Sequence, residues 1–284
     1  MSRLKQVIRN LNTRGEKALG VFVTAGYPNL SDTVSIIRAL DAGGADFIEL
    51  GMPFSDPLAE GLPIQMSSAI ALSNGVTMDF SFESAAEFRS ASDTPLLLMG
   101  YVNPVLQYGI SNFFDRCHSS GVDAVILPDY PLHSRLPIRD AARQNEIDLV
   151  YLVAPTTPSE RIRHIDELSR GFVYAVSMTG LTGTTMPDRN EIKSYLNKVR
   201  GLCTNNPVLV GFGISTAEDV TDLSRAADGC IVGSAVINKI EKLWSSPSGA
   251  ESTQSDLSNY APDRFSQLTA FVANLKSGTT PATP

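Results

Sequence analysis

Cysteine is scarce: Cys117, Cys203 and Cys230 are the only three in 284 residues, odd in number and without a CxxC spacing. That excludes a disulfide framework and a thiolate metal cluster, and reads as buried free thiols in a reducing compartment. No run of about 18 apolar residues occurs, so the sequence offers no membrane span. The N-terminus "MSRLKQVIRNLNTRGEKALG" lacks the apolar core of a secretory signal. Positive charge is in deficit, with 23 Lys plus Arg against 30 Asp plus Glu and a formal net charge of -7. This argues against a nucleic-acid-coating surface, and a soluble, cytoplasmic protein is the expectation. The lysines (Lys5, Lys17, Lys193, Lys198, Lys239, Lys242 and Lys276) never close an apolar run. Schiff-base and pyridoxal chemistry therefore lack their buried amine. His118 and His164 fall in helical stretches and His133 in a loop, which makes no metal set. Neither a metal nor a cofactor is expected. No GxGxxG follows the first apolar run, where "TAGYPN" stands, and that disfavours a doubly wound dinucleotide-binding sheet.

What is present is an eightfold repeat. "GVFVTAG" (20–26), "DFIELG" (46–51), "PLLLMGY" (95–101), "DAVILPD" (123–129), "DLVYLVAP" (148–155), "GFVYAVS" (171–177), "PVLVGFG" (207–213) and "GCIVGSA" (229–235) are apolar on consecutive positions. That is the pattern of parallel strands buried on both faces. Helical stretches separate them, among them "SERIRHIDELSR" and "SDTVSIIRALDAGG", the latter with Ser31 as N-cap and a stop at Gly43-Gly44. Eight such alternations predict an α/β protein, a (β/α)8 TIM barrel with an extra N-terminal helix bearing Leu4, Val7, Ile8 and Leu11 on one face. Residues 1–284 are expected to form one domain: a barrel over about 18–243, a Ser-rich segment 245–262, a closing helix over about 263–277 and a disordered tail 278–284. Two gaps between strands are long. One, from Gly51 to Pro95, has room for a functional loop plus a helix, and the other begins "MTGLTGTTMPDRN" after the sixth run. Barrel enzymes carry their chemistry on such loops.

The stretch "FIELGMPFSDPLAEG" places Glu49 between Ile48 and Leu50. Strand alternation turns Ile48 and Leu50 toward the helices and Glu49 into the barrel. A carboxyl in an apolar strand has a raised pKa and suits a general acid or base, unless an Arg or a backbone N–H pairs with it. Asp56 and Glu60, on the loop, carry weaker individual claims because loop acids are usually solvated. The glycine-rich strand ends "TGLTG", "GFGIS" and "GSA" bring Gly183, Gly211, Gly213, Gly233 and Ser234, with Ser215, to one side of the barrel mouth. Backbone N–H groups of that kind can cup a phosphate; the plainer alternative is a set of tight turns.

"FIELGMPFSDPLAEGLPIQ" resembles the signature of the tryptophan synthase α-subunit family, E-L-G-x-P-F-S-D-P-x-A-D-G-P-x-I-Q. The likeness continues through "FVTAGYP", "YVNPVLQYGISNFF", "GVDAVILPDYP", "GLTGTT", "GFGIS" and "VGSAV", over about residues 1–243. The resemblance implies a cofactor-independent retro-aldol cleavage of indole-3-glycerol phosphate to indole and glyceraldehyde 3-phosphate. It implies Glu49 and Glu60 as the catalytic carboxylates, Tyr174 beside the indole ring, and Phe22, Met99 and Tyr101 lining the ring pocket. It implies a β-subunit partner in an α2β2-type complex, met by Pro53, Ser55, Asp56 and Pro57. Family members carry Asp where this chain has Glu60, and Gly-Pro where it has Gly61-Leu62-Pro63; Leu132-His133-Ser134 and Met178 depart as well. Leu62 thereby removes a proline restraint on the loop. Two alternatives stay open: a stand-alone indole-releasing lyase, and a weakened α-like subunit that activates a β partner.

Overall fold

Eight parallel strands close into a barrel in chain order. They are β1 (Ala18–Thr24), β2 (Phe47–Gly51), β3 (Leu96–Met99), β4 (Ala124–Ile126), β5 (Asp148–Val153), β6 (Val173–Val176), β7 (Val208–Gly211) and β8 (Gly229–Val232). The structure is a computed structural model and describes residues 2–57, 60–177, 188–211, 213–245 and 263–280. The helices are α1 (Arg3–Thr13), α2 (Thr33–Ala42), α3 (Leu62–Ser73), α4 (Met78–Arg89), α5 (Val102–Tyr108), α6 (Ile110–Ser119), α7 (Ile138–Gln144), α8 (Ser159–Leu168), α9 (Arg189–Leu202), α10 (Ala217–Ser224), α11 (Ser234–Ser245) and α12 (Arg264–Ser277). Among the described residues no helix is long and apolar enough to cross a membrane.

The consecutive apolar residues of each strand divide between two cores. Ile48, Leu50, Leu96 and Leu98 pack outward against the helices, while Phe47, Leu97, Ala124, Ile126, Val150, Phe172, Tyr174, Leu209 and Ile231 fill the barrel. Because parallel strands are buried on both faces, polarity does not alternate along them. Large rings need room inside, and glycines supply it. A Cβ on Gly20 would strike the Phe47 ring, and one on Gly51 would strike Phe22.

The extra helix α1 closes the barrel floor. Its Leu4, Ile8 and Leu11 are buried and join the interior cluster with Phe47 and Phe172. A polar clamp holds it there: Lys5 Nζ donates to Asn206 Oδ1 at 3.0 Å. Asn206 is held in turn by Asp166, whose carboxylate accepts the N–H groups of Thr204, Asn205 and Asn206 at 2.8–2.9 Å.

Four details differ from the sequence expectations. β1 starts at Ala18 and ends at Thr24, and the "AG" that follows is a turn rather than strand. Ser31 is not an N-cap: a 3-10 turn, Leu30–Asp32, precedes α2, and the capping position falls to Asp32. The Asp32 carboxylate makes no cap bond because Asn29 Nδ2 and the Trp244 indole N–H occupy it, at 3.0 and 2.6 Å. The long gap before β3 holds two helices, α3 and α4, the second capped by Thr77, whose hydroxyl accepts the Phe80 N–H at 3.1 Å. Finally, the chain stays ordered past α12 through Thr280: Thr279 is buried, and its carbonyl accepts the Lys17 N–H at 3.0 Å. Residues 246–262 and 281–284 lie outside the described residues.

Candidate active site

β2 delivers Glu49 into the barrel. The strand register aligns it with Phe22 on β1 and Leu97 on β3. The side chain is 1% exposed, and neither carboxyl oxygen has a hydrogen-bond partner among the described residues. That removes the plainer reading of a carboxylate paired with Arg or a backbone N–H. Charging such a group is costly, and burial alone pushes its pKa up to about 8. At neutral pH it is a carboxylic acid with a proton to give. Across the interior stands Tyr174 of β6, 4% exposed. Burial, and then the Glu49 charge, raise its phenol well above the usual range.

Glu60 stands at the exit of the β2 loop, one residue before Gly61, the N-cap of α3. The Tyr101 hydroxyl donates to Glu60 Oε1 at 3.1 Å, and Gln65 Nε2 donates to the Glu60 carbonyl at 2.7 Å. Glu60 Oε2 is buried without a partner among the described residues. Burial raises the Glu60 pKa, and the Tyr101 bond opposes that rise. The loop's proline restraint is displaced rather than lost. Pro63 falls in the first turn of α3, where its missing N–H costs nothing. Leu62-Pro63 therefore does the work expected of the family's proline, one residue later.

Phe22, Met99 and Tyr101 line the same end of the barrel. Phe22 is 6% and Tyr101 3% exposed, and Met99 ends β3 in contact with both cores. Phe54 adds a ring that residue reasoning passed over, 5.2 Å from Tyr101 at 35°. Its position, three residues beyond β2 within the acidic loop, was the available signal. Ile64 is the second omission: an added Cβ on Gly233 would lie 3.6 Å from its Cδ1 and 3.5 Å from Phe22 Cβ.

The five glycine and serine positions expected to hold phosphate separate on inspection. Gly233 and Ser234 head α11: the Val236 and Ile237 N–H groups bond the Gly233 carbonyl at 2.8 and 3.1 Å. The N–H groups of Ser234 and Ala235, one turn ahead, are the donors a helix start leaves for an anion. Gly213 has φ +73°, a left-handed turn that glycine adopts freely. Gly211 has a different reason to be glycine, since a Cβ there would collide with the Tyr174 hydroxyl. Ser215 is occupied: its N–H and hydroxyl both donate to Asp219 Oδ2, at 3.0 and 3.1 Å, in the cap of α10. Burial opposes ionisation of Asp219, yet Arg189 and these donors hold its pKa at about 2. Gly183 and Met178 lie outside the described residues.

On the rim, Ser55 and Asp56 are exposed and bonded to each other, between the half-buried Pro53 and Pro57. His133 and His164 stack at 5.8 Å, and among the described residues no group of three His, Cys, Asp or Glu is placed to hold a metal ion.

A family model described as "Tryptophan synthase alpha chain" matches residues 8–267. The tryptophan synthase alpha chain of Citrifermentans bemidjiense is 39% identical over 278 residues, 98% of each chain. That of Flavobacterium psychrophilum is 40% identical over 241 residues, 84% of this chain and 94% of the relative. Among solved structures, the tryptophan synthase alpha chain from Legionella pneumophila superposes with a TM-score of 0.85 at 30% identity, covering 98% of this chain and 97% of that one. A chain of the aminoacrylate-bound tryptophan synthase from M. tuberculosis superposes with a TM-score of 0.83 at 27% identity, covering 98% of this chain and all 100% of that one.

Proposed function

The chain belongs to the tryptophan synthase α-chain family, and from that premise we propose that it cleaves indole-3-glycerol phosphate to indole and glyceraldehyde 3-phosphate, without a cofactor. The observation that carries the chemistry is Glu49, a fully buried carboxyl held neutral by its surroundings at the centre of an apolar cup. In the proposed reaction the protonated Glu49 gives its proton to C3 of the indole ring, while Glu60 draws on the N1 proton and stabilises the resulting cation. The side-chain bond at C3 then has an electron sink in the ring itself. Glu49, now a carboxylate, takes the proton of the adjacent glycerol hydroxyl. The C3–C3′ bond breaks, its electron pair restores the aromatic ring, and the hydroxyl carbon becomes the aldehyde. Protons balance, and no water is consumed. Tyr174, Phe22, Met99 and Tyr101 hold the ring, and the start of α11 with Gly213 holds the phosphate.

This scheme needs Glu49 protonated and Glu60 ionised, which fixes the pH profile. The rate of the chemical step should fall as pH rises through about 8, where Glu49 loses its proton. It should also fall on the acid side through a Glu60 pKa above the ordinary glutamate value. A bell with both limbs is expected in kcat/KM measured by indole release, the parameter that reports the unliganded protein. A rate still climbing at pH 9 would remove Glu49 as the acid.

A β-subunit partner fits the rim beside this site. The large apolar side chains exposed among the described residues are Leu62, Met66, Ile70 and Leu72 on α3 and Leu106 on α5. All lie on helices that follow β2 and β3, and α3 is the helix into which the Pro53–Pro57 loop leads. Apolar exposure gathered on one side of a molecule marks a protein contact. The deciding experiment is a steady-state assay of indole release from indole-3-glycerol phosphate, with and without a β subunit. Release by the chain, raised on adding β, is the expected result. No release in either condition would overturn the assignment.

A further inference from the structure

We propose that Tyr101 is the positioning residue for Glu60, its phenol fixing one carboxylate oxygen so that the other is left for the ring N–H of the substrate. The inference rests on the cleavage reaction proposed above and concerns Glu60, one of the positions at which this chain departs from the family signature. Glutamate has one more rotatable bond than aspartate, and catalytic alignment fails with errors of about 1 Å. A longer carboxylate therefore needs a brace. The structure provides one at each end of Glu60: Gln65 holds the carbonyl at 2.7 Å, and the Tyr101 hydroxyl holds Oε1 at 3.1 Å.

Tyr101 is itself immobilised. It precedes α5, and the next N–H, that of Val102, is bonded to both carboxylate oxygens of Asp129 at 3.0 and 3.1 Å. Its ring is 3% exposed and packs on Phe54 at 5.2 Å. A tyrosine serving only as an apolar wall would need neither the hydroxyl nor its direction. The oxygen left over, Glu60 Oε2, is buried and unpartnered among the described residues, a state that an N–H donor from the substrate would relieve. The phenol bond also favours the charged form against burial, which keeps Glu60 ionised where the chemistry needs it.

The test is Tyr101→Phe, which keeps the ring and removes the bond. We expect kcat to fall about tenfold, KM to stay within about twofold because the apolar wall remains, and the acid limb of the profile to move to higher pH. Carbon-13 NMR titration of the Glu60 carboxyl should show the same upward shift without reference to turnover. In a Glu60→Asp background, where the shorter carboxylate no longer meets the phenol, Tyr101→Phe should have little further effect on kcat. An unmoved Glu60 titration in Tyr101→Phe would overturn the inference, as would a loss of equal size in both backgrounds or a change confined to KM. A parent protein that releases no indole would instead count against the cleavage reaction, and the NMR titration would still decide the role of Tyr101.

Discussion

Glu49→Gln is expected to lower kcat for indole release about a thousandfold, the scale of losing a general acid, and at the same time to make the protein more stable at alkaline pH. The amide keeps the shape of the side chain in its apolar setting but has no proton to give. The stability effect follows from linkage. The native state holds the Glu49 proton up to about pH 8, whereas the unfolded chain releases it near 4.3. Stability contributed by the neutral acid is complete below the unfolded pKa and is lost as pH rises to the folded one. At pH 9 the parent therefore carries a penalty on the order of 5 kcal/mol that the Gln variant lacks. Thermal denaturation at pH 5 and pH 9 measures it: the variant's advantage in Tm should grow by roughly 10 °C between them. Turnover above about a tenth of the parent, or a Tm difference that does not change with pH, would place the proton donor elsewhere.

Gly233→Asp should raise KM for indole-3-glycerol phosphate about a hundredfold, close to 3 kcal/mol, with no loss of fold stability. The new Cβ meets Phe22 and Ile64 at ordinary contact distances of 3.5 and 3.6 Å, and Asp is a favoured residue at a helix start. Its carboxylate would cap the Ala235 N–H, one of the donors proposed for the phosphate, and would repel the phosphate as well. Inhibition by free indole, which has no phosphate, should be unaffected. An unchanged KM would put the phosphate away from α11. Gly213 is a poorer probe, because at φ +73° any side chain adds backbone strain to the result.

The barrel was legible because eight buried parallel strands leave eight consecutive apolar runs, and Glu49 was legible because a carboxylate interrupts one of them. Polar residues with local partners were harder to place. Ser215 looked like a phosphate donor, yet four residues on stands Asp219, and "STAED" is a capping sequence that ties both into α10. Gly211 looked like a phosphate turn, but its smallness serves Tyr174, 37 residues earlier on the next strand. The Tyr101–Glu60 bond joins loops 41 residues apart, and no local pattern announces a contact of that range. The expected Ser31 cap failed because a 3-10 turn moves the start of α2 to Asp32, whose carboxylate is claimed by Trp244, 212 residues away.

Among the described residues, the floor made by Leu4, Ile8 and Leu11 turns the barrel into a vessel closed at its lower end. Among the described residues the bottom is filled by Phe47 and Phe172 over α1, so substrate entering and products leaving pass the same rim. Two products of opposite character, one apolar and one charged, must clear that rim before the next substrate arrives. A partner seated on Pro53–Pro57, as proposed above, would stand at that threshold and govern traffic through the vessel without touching Glu49.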